Sequence, residues 1–434
     1  MTACRPRSAW LFVILVIVFS IPTRWAWSTN YDAYYLFSHA YPDNTETSWA
    51  NDNAAASGIA HDDNNWYIVS LGTDFFNESE DETLYRFWKI PVSVDLQKGD
   101  LANEPGVLTY NRSQLPLLDK GGFTHPGDLD HYKFGGKDYL LVPVRNNNNS
   151  PSTPAIAAFL GPTLSGLDVA DLVGLDQTGI GWCAIGPGGE LYTSEDDATA
   201  ILEYQVDWPT LATTGKLIIQ PVKAHPLVDS SENGLKLYNM QGGELSVHGD
   251  FLYVVSGIAL RAQHDSDGIH VFERSSSLDR WHEVERSTNR ARGQAGPFDY
   301  TYIGGFNSDQ EPEGLTVWDL DNGRAPGISG QLHVFLFNWQ ITSDNLVSLK
   351  HYSGKIRVDR ASVDTPRLSI PYPGTAGGPP AYGRPFGRFV DAVTFYPAWD
   401  GVEFLVEGGS YPGPVRVKNR SRIDARDGVV IIGK

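Results

Sequence analysis

Apolar residues in this chain come in short runs cut by Gly, Asn, Asp and Pro, with little helical periodicity of useful length before Pro366. Trp66–Ser70, Tyr139–Val144, Glu190–Thr193, Phe251–Ser256 and His333–Asn338 have the length and composition of strands. Clusters such as Asp62-Asp63-Asn64-Asn65 and Gly186-Pro187-Gly188-Gly189 read as turns between them. Ahead of each run stands a stretch that can be laid on its counterparts. The five are Ala55–His61, His125–His131, Gly179–Ile185, Gln241–Val247 and Glu311–Val317. Their third position is mostly Gly, their fifth always apolar and their sixth mostly small. A strand, a turn and a second strand recurring at roughly 50–70-residue intervals predict an all-β chain built as a β-propeller. Five blades fit the count, and four or six remain open because two intervals are long enough to hide a degenerate repeat.

The alternating aromatic stretch Tyr31–His39 predicts an early strand that closes the ring against Leu346–Tyr352. The division that follows is a signal peptide over 1–28, a propeller over 29–365, a Pro/Gly-rich linker over 366–385 and a β-rich tail over 386–434. The leader has Arg5 and Arg7 ahead of an apolar run that is short for a membrane span, which predicts a secreted protein with no membrane anchor. In the tail, Phe389–Phe395 reads as a short helix. Deep apolar positions at Phe404, Val406, Val415, Val417, Val429, Ile431 and Ile432 need a surface to cover them.

Composition narrows the partners. A formal net charge of −18 argues against nucleic acid and anionic membranes, and leaves small molecules, glycans and cations. Cys4 falls in the leader, so Cys183 is alone in the mature chain and no intrachain disulfide can form. Cys183 stands in the always-apolar column and reads as a buried thiol. Asn77, Asn111, Asn148 and Asn419 begin glycosylation sequons, which would make the product a glycoprotein.

Aligned inner strands turn sequence columns into rings in space. The first and third columns gather His125, Gln241, Glu311 and Glu313 at the strand entrance, and the fourth holds Gly58, Asp128, Trp182, Glu244 and Gly314. Two chemistries suit this set. His125 with Glu311 or Glu313 offers general acid–base catalysis, with Trp182 and Gln241 as substrate contacts. Asp128, Glu244 and Glu313 offer hard oxygen ligands for Ca²⁺. A third possibility is purely structural: polar residues that cap strands beside the axis. His61 and His131 read as structural, as does Asp319-Leu320-Asp321-Asn322-Gly323, which makes a better hairpin turn than a Ca²⁺ loop.

Glu311-Pro312-Glu313-Gly314-Leu315 resembles the blade starts of secreted phytase-like and esterase-like propellers. The resemblance implies Ca²⁺-assisted hydrolysis of a phosphate or carboxylic ester, with a non-catalytic glycan-binding or interaction protein as the alternative. In the tail, Gly409-Ser410-Tyr411-Pro412-Gly413-Pro414-Val415 resembles the opening coil of secreted right-handed β-helix proteins.

Overall fold

The computed structural model describes residues 54–74, 86–98, 100–119, 122–257, 267–275, 279–288, 310–338 and 346–358, and shorter stretches including the strands at 38–46, 79–80, 402–406, 409–411, 421–425 and 430–432. The leader, the Pro/Gly-rich linker, the helix expected at Phe389–Phe395 and most of the Ser275–Phe306 loop lie outside the described residues.

Strands fall into antiparallel groups that follow one another along the chain. The first runs Ala54–His61, Asn65–Asp74, Arg86–Pro91, Leu108–Asn111. In the second, Phe123–Thr124 and Asp130–Phe134 both pair with Lys137–Asn146, followed by Thr153–Leu160 and Ser165–Asp171. The third is Ala184–Ile185, Glu190–Thr193, Ala200–Val206, Ile219–Val228, and the fourth Met240–Leu245, Phe251–Ser256, Gly268–Ser275, Arg280–Arg286. A short parallel contact, Leu227 to Trp281 and Val228 to His282, joins these two at their outer edges. The last group is Gln310–Val317, Leu332–Asn338 and Leu346–Ser353. Ser38–Glu46 completes it against Leu346–Ser353, and residues 31–37 of the expected Tyr31–His39 strand lie outside the described residues.

Alternation along the strands explains how the groups stack. Trp66 and Ile68 pack toward the last group, against Trp318, Phe335 and Leu349. Tyr67 and Val69, one residue out of phase, pack toward Leu140, Val142 and Phe159 of the second. Period-two side chains thus feed two interfaces from one strand. Further clusters fill the junctions between second and third, third and fourth, and fourth and last groups. The molecule is an all-β propeller, with its core divided among the seams between neighbouring groups.

The inner strands meet at the axis, and glycine makes this possible. A methyl built on Gly58 would lie 2.6 Å from the Gly127 carbonyl oxygen, and one on Gly127 would lie 2.0 Å from that of Gly181. One on Gly181 would meet Met240 O at 2.2 Å, one on Gly242 would meet Glu313 O at 2.6 Å, and one on Gly314 would meet Gly58 Cα at 2.7 Å. Backbone fills the space a side chain would need.

Among the described residues two short α-helices, Pro116–Asp119 and Trp208–Thr214, escaped the periodicity reading. Trp208–Thr214 is started by Asp207, whose side chain accepts from Thr210 N at 3.0 Å, and ended by Gly215 at φ 75°. Its signals were local: an Asp cap, Pro209 in the first turn and a terminal Gly. The tail forms parallel sheets. Val402–Val406 lies between Ile356–Val358 and Ser421–Ala425, and Gly409–Tyr411 pairs with Val430–Ile432. Its first strand, Ile356–Val358, stands inside the stretch assigned from sequence to the propeller and follows the last propeller strand almost at once. Phe404, Val406 and Tyr411 are buried in it. Among the described residues no helix is long and apolar enough to cross a membrane.

Candidate functional site

Asp128 occupies the centre of the ring and is fully buried. One carboxylate oxygen accepts from Ile59 N at 2.8 Å, and the other from Gly243 N at 3.0 Å and Leu315 N at 3.1 Å. Its own N–H donates to Gly181 O and its carbonyl accepts from Cys183 N. All the inner strands are therefore tied to one residue. Burial pushes its carboxyl well above the usual range, while the three N–H donors oppose that rise. Oxygens already engaged by backbone donors do not suit Asp128 to the Ca²⁺-ligand role expected from sequence.

The donors to Asp128 also correct the repeat alignment. Ile59, Gly243 and Leu315 are equivalent, so the fourth repeat slides by two positions relative to the columns read from sequence. A register irregularity accompanies each of these strands, between Ala56 and Gly58, Met240 and Gly242, and Pro312 and Leu315. Gln241 thus corresponds to Ser57, and Gly242 rather than Glu244 joins Gly58 and Gly314. Bulges of this kind re-aim side chains at strand starts.

On the entrance side of Asp128 stand Gln241, Glu311 and Glu313. Gln241 Nε2 donates to Glu311 Oε1 at 2.8 Å, across neighbouring strands. Glu311 is buried, whereas Glu313 keeps part of its surface open. Glu313 receives no hydrogen bond among the described residues. Desolvation, then the charges of Glu311 and Asp128, push its carboxyl well above the ordinary range. His125 lies in the irregular stretch between Phe123–Thr124 and Asp128, at φ 53°, a left-handed conformation rare for a side-chain-bearing residue. Ser57 Oγ fixes that turn by donating to Pro126 O at 2.8 Å.

Two other expected residues sit elsewhere. Trp182 is fully buried, donates through Nε1 to Ser194 Oγ at 2.8 Å and underlies Gly243, so it is a seam residue rather than a substrate contact. Glu244 lies beyond Asp128 at the opposite end, where Oε2 accepts from Val317 N at 2.9 Å and Oε1 is 3.8 Å from His61 Nε2. Glu244 and Glu313 are thus on opposite sides of Asp128 and do not form one cation site with it. Among the described residues no group of three or more His, Cys, Asp or Glu side chains is arranged to hold a metal.

The opposite end carries its own buried groups. Asp130 accepts from Ile185 N and His131 N, both at 2.6 Å, and burial raises its pKa to about 7. His61 stacks on Trp318 with ring centroids 4.3 Å apart, and burial lowers its pKa to about 4. The Asp319–Gly323 turn is satisfied internally: Lys355 Nζ is 2.5 Å from Asp319 Oδ2, and Gln331 Nε2 donates to both Asp319 and Asp321. An ammonium therefore stands where a Ca²⁺ loop would place its ion. Cys183 is buried and donates to Leu141 O, and burial with Asp130 and Asp128 pushes its thiol up.

Sequence reading missed one constellation. In the fourth group His270 Nδ1 lies 2.6 Å from Glu283 Oε1, and Ser256 Oγ is 3.3 Å from His270 Nε2. Arg286 holds Glu283 by two bonds of 2.8 Å. The order is that of a hydrolytic triad. Ser256 and His270, however, are wholly sealed from solvent, so the set serves as a polar tie across three strands. Its residues come from consecutive strands at no fixed spacing, which leaves no linear motif to find.

No protein-family model and no curated protein matches the chain. Among solved structures it is similar to the GH43_1 enzyme from Xanthomonas citri, at 10% identity and a TM-score of 0.42 over 71% of this chain and 90% of that one. It is similar also to the major Malassezia sympodialis allergen Mala s 1, at 10% identity and a TM-score of 0.38 over 69% and 78%. A third is the Bacillus subtilis arabinanase Arb43A, at 10% identity and a TM-score of 0.35 over 74% and 100%. These are likenesses in the course of the chain, and they assign no residue of the axial site.

Proposed function

We propose that the chain is a secreted five-bladed propeller hydrolase that cleaves neutral glycans at the axial entrance. Glu313 acts as the proton donor to the leaving oxygen. Glu311, held by Gln241, is its carboxylate partner. The observation that supports this reading is the placing of Glu313: a partly open carboxyl with no hydrogen-bond donor among the described residues, beside Glu311 and above Asp128. A carboxyl held well above its usual range beside a second carboxyl that is fixed by an amide donor is equipment suited to glycoside hydrolysis. His125, ahead of the second group's inner segment, is assigned to a substrate hydroxyl.

The ester and phosphoester substrates expected from sequence fit less well. A phosphate dianion would be repelled by the Glu311 carboxylate that the mechanism needs ionised. Covalent ester hydrolysis needs an accessible nucleophile. Ser256 and Cys183 are sealed, and Ser57 spends its hydroxyl on Pro126 O.

The test is turnover of nitrophenyl pentosides and hexosides alongside nitrophenyl acetate and phosphate. Glu313→Gln should lower glycoside turnover by roughly 10²–10⁴-fold with an unchanged melting temperature. Wild-type turnover should fall as pH rises through the raised pKa of Glu313. Undiminished activity in the variant, or turnover of only the ester or phosphate, would refute the assignment. A second reading, Ca²⁺ held by Glu311 and Glu313, draws on the same crowding of negative charge. It requires Ca²⁺ to raise the melting temperature in wild type and not in Glu313→Gln.

A further inference from the structure

At its first position the third repeat brings no side chain to the axial entrance, because that residue is Gly179, and Asp196 fills the place. A methyl built on Gly179 would lie 2.6 Å from the Asp196 carboxyl carbon, so the carboxyl rests directly on the start of the inner segment. Asp196 belongs to the turn between Glu190–Thr193 and Ala200–Val206, and that turn is tied down on two sides. Glu195 accepts from Thr178 N at 2.6 Å and from Gly179 N at 3.1 Å. The Asp196 carbonyl accepts from Met240 N at 2.8 Å, one residue ahead of Gln241. Arg145 reaches the same carboxyl from the second group, with Nη2 donating to Asp196 Oδ2 at 3.3 Å. Its backbone pairs with Thr124, the residue before His125. The two side chains therefore span the rim between His125 and the Gln241–Glu311 contact.

What this pair leaves unused defines what it can hold. Arg145 and Asp196 keep 42% and 45% of their side-chain surfaces open and share one hydrogen bond. Among the described residues neither side chain has another hydrogen bond or ion pair. The guanidinium thus has N–H groups to donate, and Asp196 Oδ1 has lone pairs to accept, side by side. An exposed pair held by one bond contributes little to stability. A donor next to an acceptor fits two neighbouring hydroxyls of a sugar ring, one accepting from Arg145 and the other donating to Asp196. An anionic group would be opposed by Asp196, and an amine by Arg145. Resting on the glycan-hydrolase reading above, we propose that Arg145 and Asp196 form a rim subsite that holds a vicinal diol of a neutral glycan.

The probes are xylotriose, arabinotriose and cellotriose, titrated calorimetrically into the full chain carrying Glu313→Gln so that turnover does not interfere. At least one should bind, and adding Arg145→Ala or Asp196→Ala should raise its dissociation constant about tenfold or more. Asp196→Asn, which keeps an acceptor oxygen, should stay within about threefold of the parent. With Glu313 intact, the alanine variants should raise KM and leave kcat within about threefold, the mark of groups that bind without touching the reacting bond. Melting temperatures should not move. Where an alanine variant melts early, Arg145→Met and Asp196→Leu keep bulk without the polar groups and decide in its place. No binding of any trisaccharide up to about 10 mM would overturn the subsite, as would folded variants that bind like the parent. The fate of the hydrolase reading is separate. A wild-type chain that binds a trisaccharide through Arg145 and Asp196 yet cleaves no glycoside keeps the subsite and refutes the hydrolase. One that cleaves nitrophenyl glycosides and fails the titration does the reverse.

Discussion

One carboxylate, Asp128, reaches the inner strand of every group, through three accepted N–H bonds and two backbone bonds of its own. Removing it by Asp128→Ala leaves three buried donors unpaired, a cost of roughly 3–6 kcal/mol on ordinary penalties for such groups. Asp128→Asn keeps an acceptor oxygen and should lose less. Urea unfolding of the two variants gives both numbers, and an Ala variant within about 1 kcal/mol of wild type would show that the ring does not depend on this side chain. A different fate is expected for the sealed Ser256–His270–Glu283 tie. Ser256→Ala should cost about 1 kcal/mol and leave glycoside turnover intact, and a fluorophosphonate probe should fail to label Ser256. Labelling there would turn a structural tie into a nucleophile.

The strands themselves were legible wherever a short apolar run met a turn signal, as at Phe251–Ser256 and Tyr139–Val144, because period-two burial leaves its mark in sequence. Register was not. The two-position slide that moves Gln241 into the place of Ser57 carries no compositional sign, so Glu244 was brought to the wrong end of the axis. Gln241 and Glu311 meet through one hydrogen bond although the columns that paired them were misaligned by two positions, and the burial of Trp182 was invisible because an aromatic in a column looks the same whether it faces a seam or a substrate. Glycines in the same chain separate into two kinds. Gly215 ends the Trp208–Thr214 helix at φ 75° with nothing within 4 Å of a built methyl, so Gly215→Ala should cost only about 1 kcal/mol of backbone strain. Gly127→Ala would drive a methyl to 2.0 Å from Gly181 O and should yield little folded protein. Comparing their melting temperatures and soluble yields tests whether the axis is packed backbone to backbone.

Charge is distributed through the molecule so that the axis itself is acidic. Burial pushes Asp128, Glu244 and Glu313 well above the usual carboxylate range and raises Asp130 to about 7, each worsened by a neighbouring carboxylate or close to one. Groups of this kind bind protons more tightly in the folded chain, so the stability they contribute is complete below the ordinary carboxylate pKa and is lost as pH rises through the folded values. Three buried histidines act in the opposite sense. Burial lowers His61 and His333 to about 4 and lowers His351 well below the usual value, so their contribution is present above about 6.5 and is lost as pH falls toward the folded pKa. Between about 4 and 6.5 the two sets offset each other. Above 6.5 these histidines no longer titrate while the carboxyls do, and the buried Cys183 thiol acts in the same direction, so the melting temperature should decline steadily from near neutral into the alkaline range. Glu244→Gln keeps an oxygen for Val317 N while removing one of the ionising groups, so its melting temperature should fall less steeply over that range than wild type. Parallel curves for the two proteins from pH 6.5 to 9 would mean that Glu244 is not among the axial groups that lose their protons there.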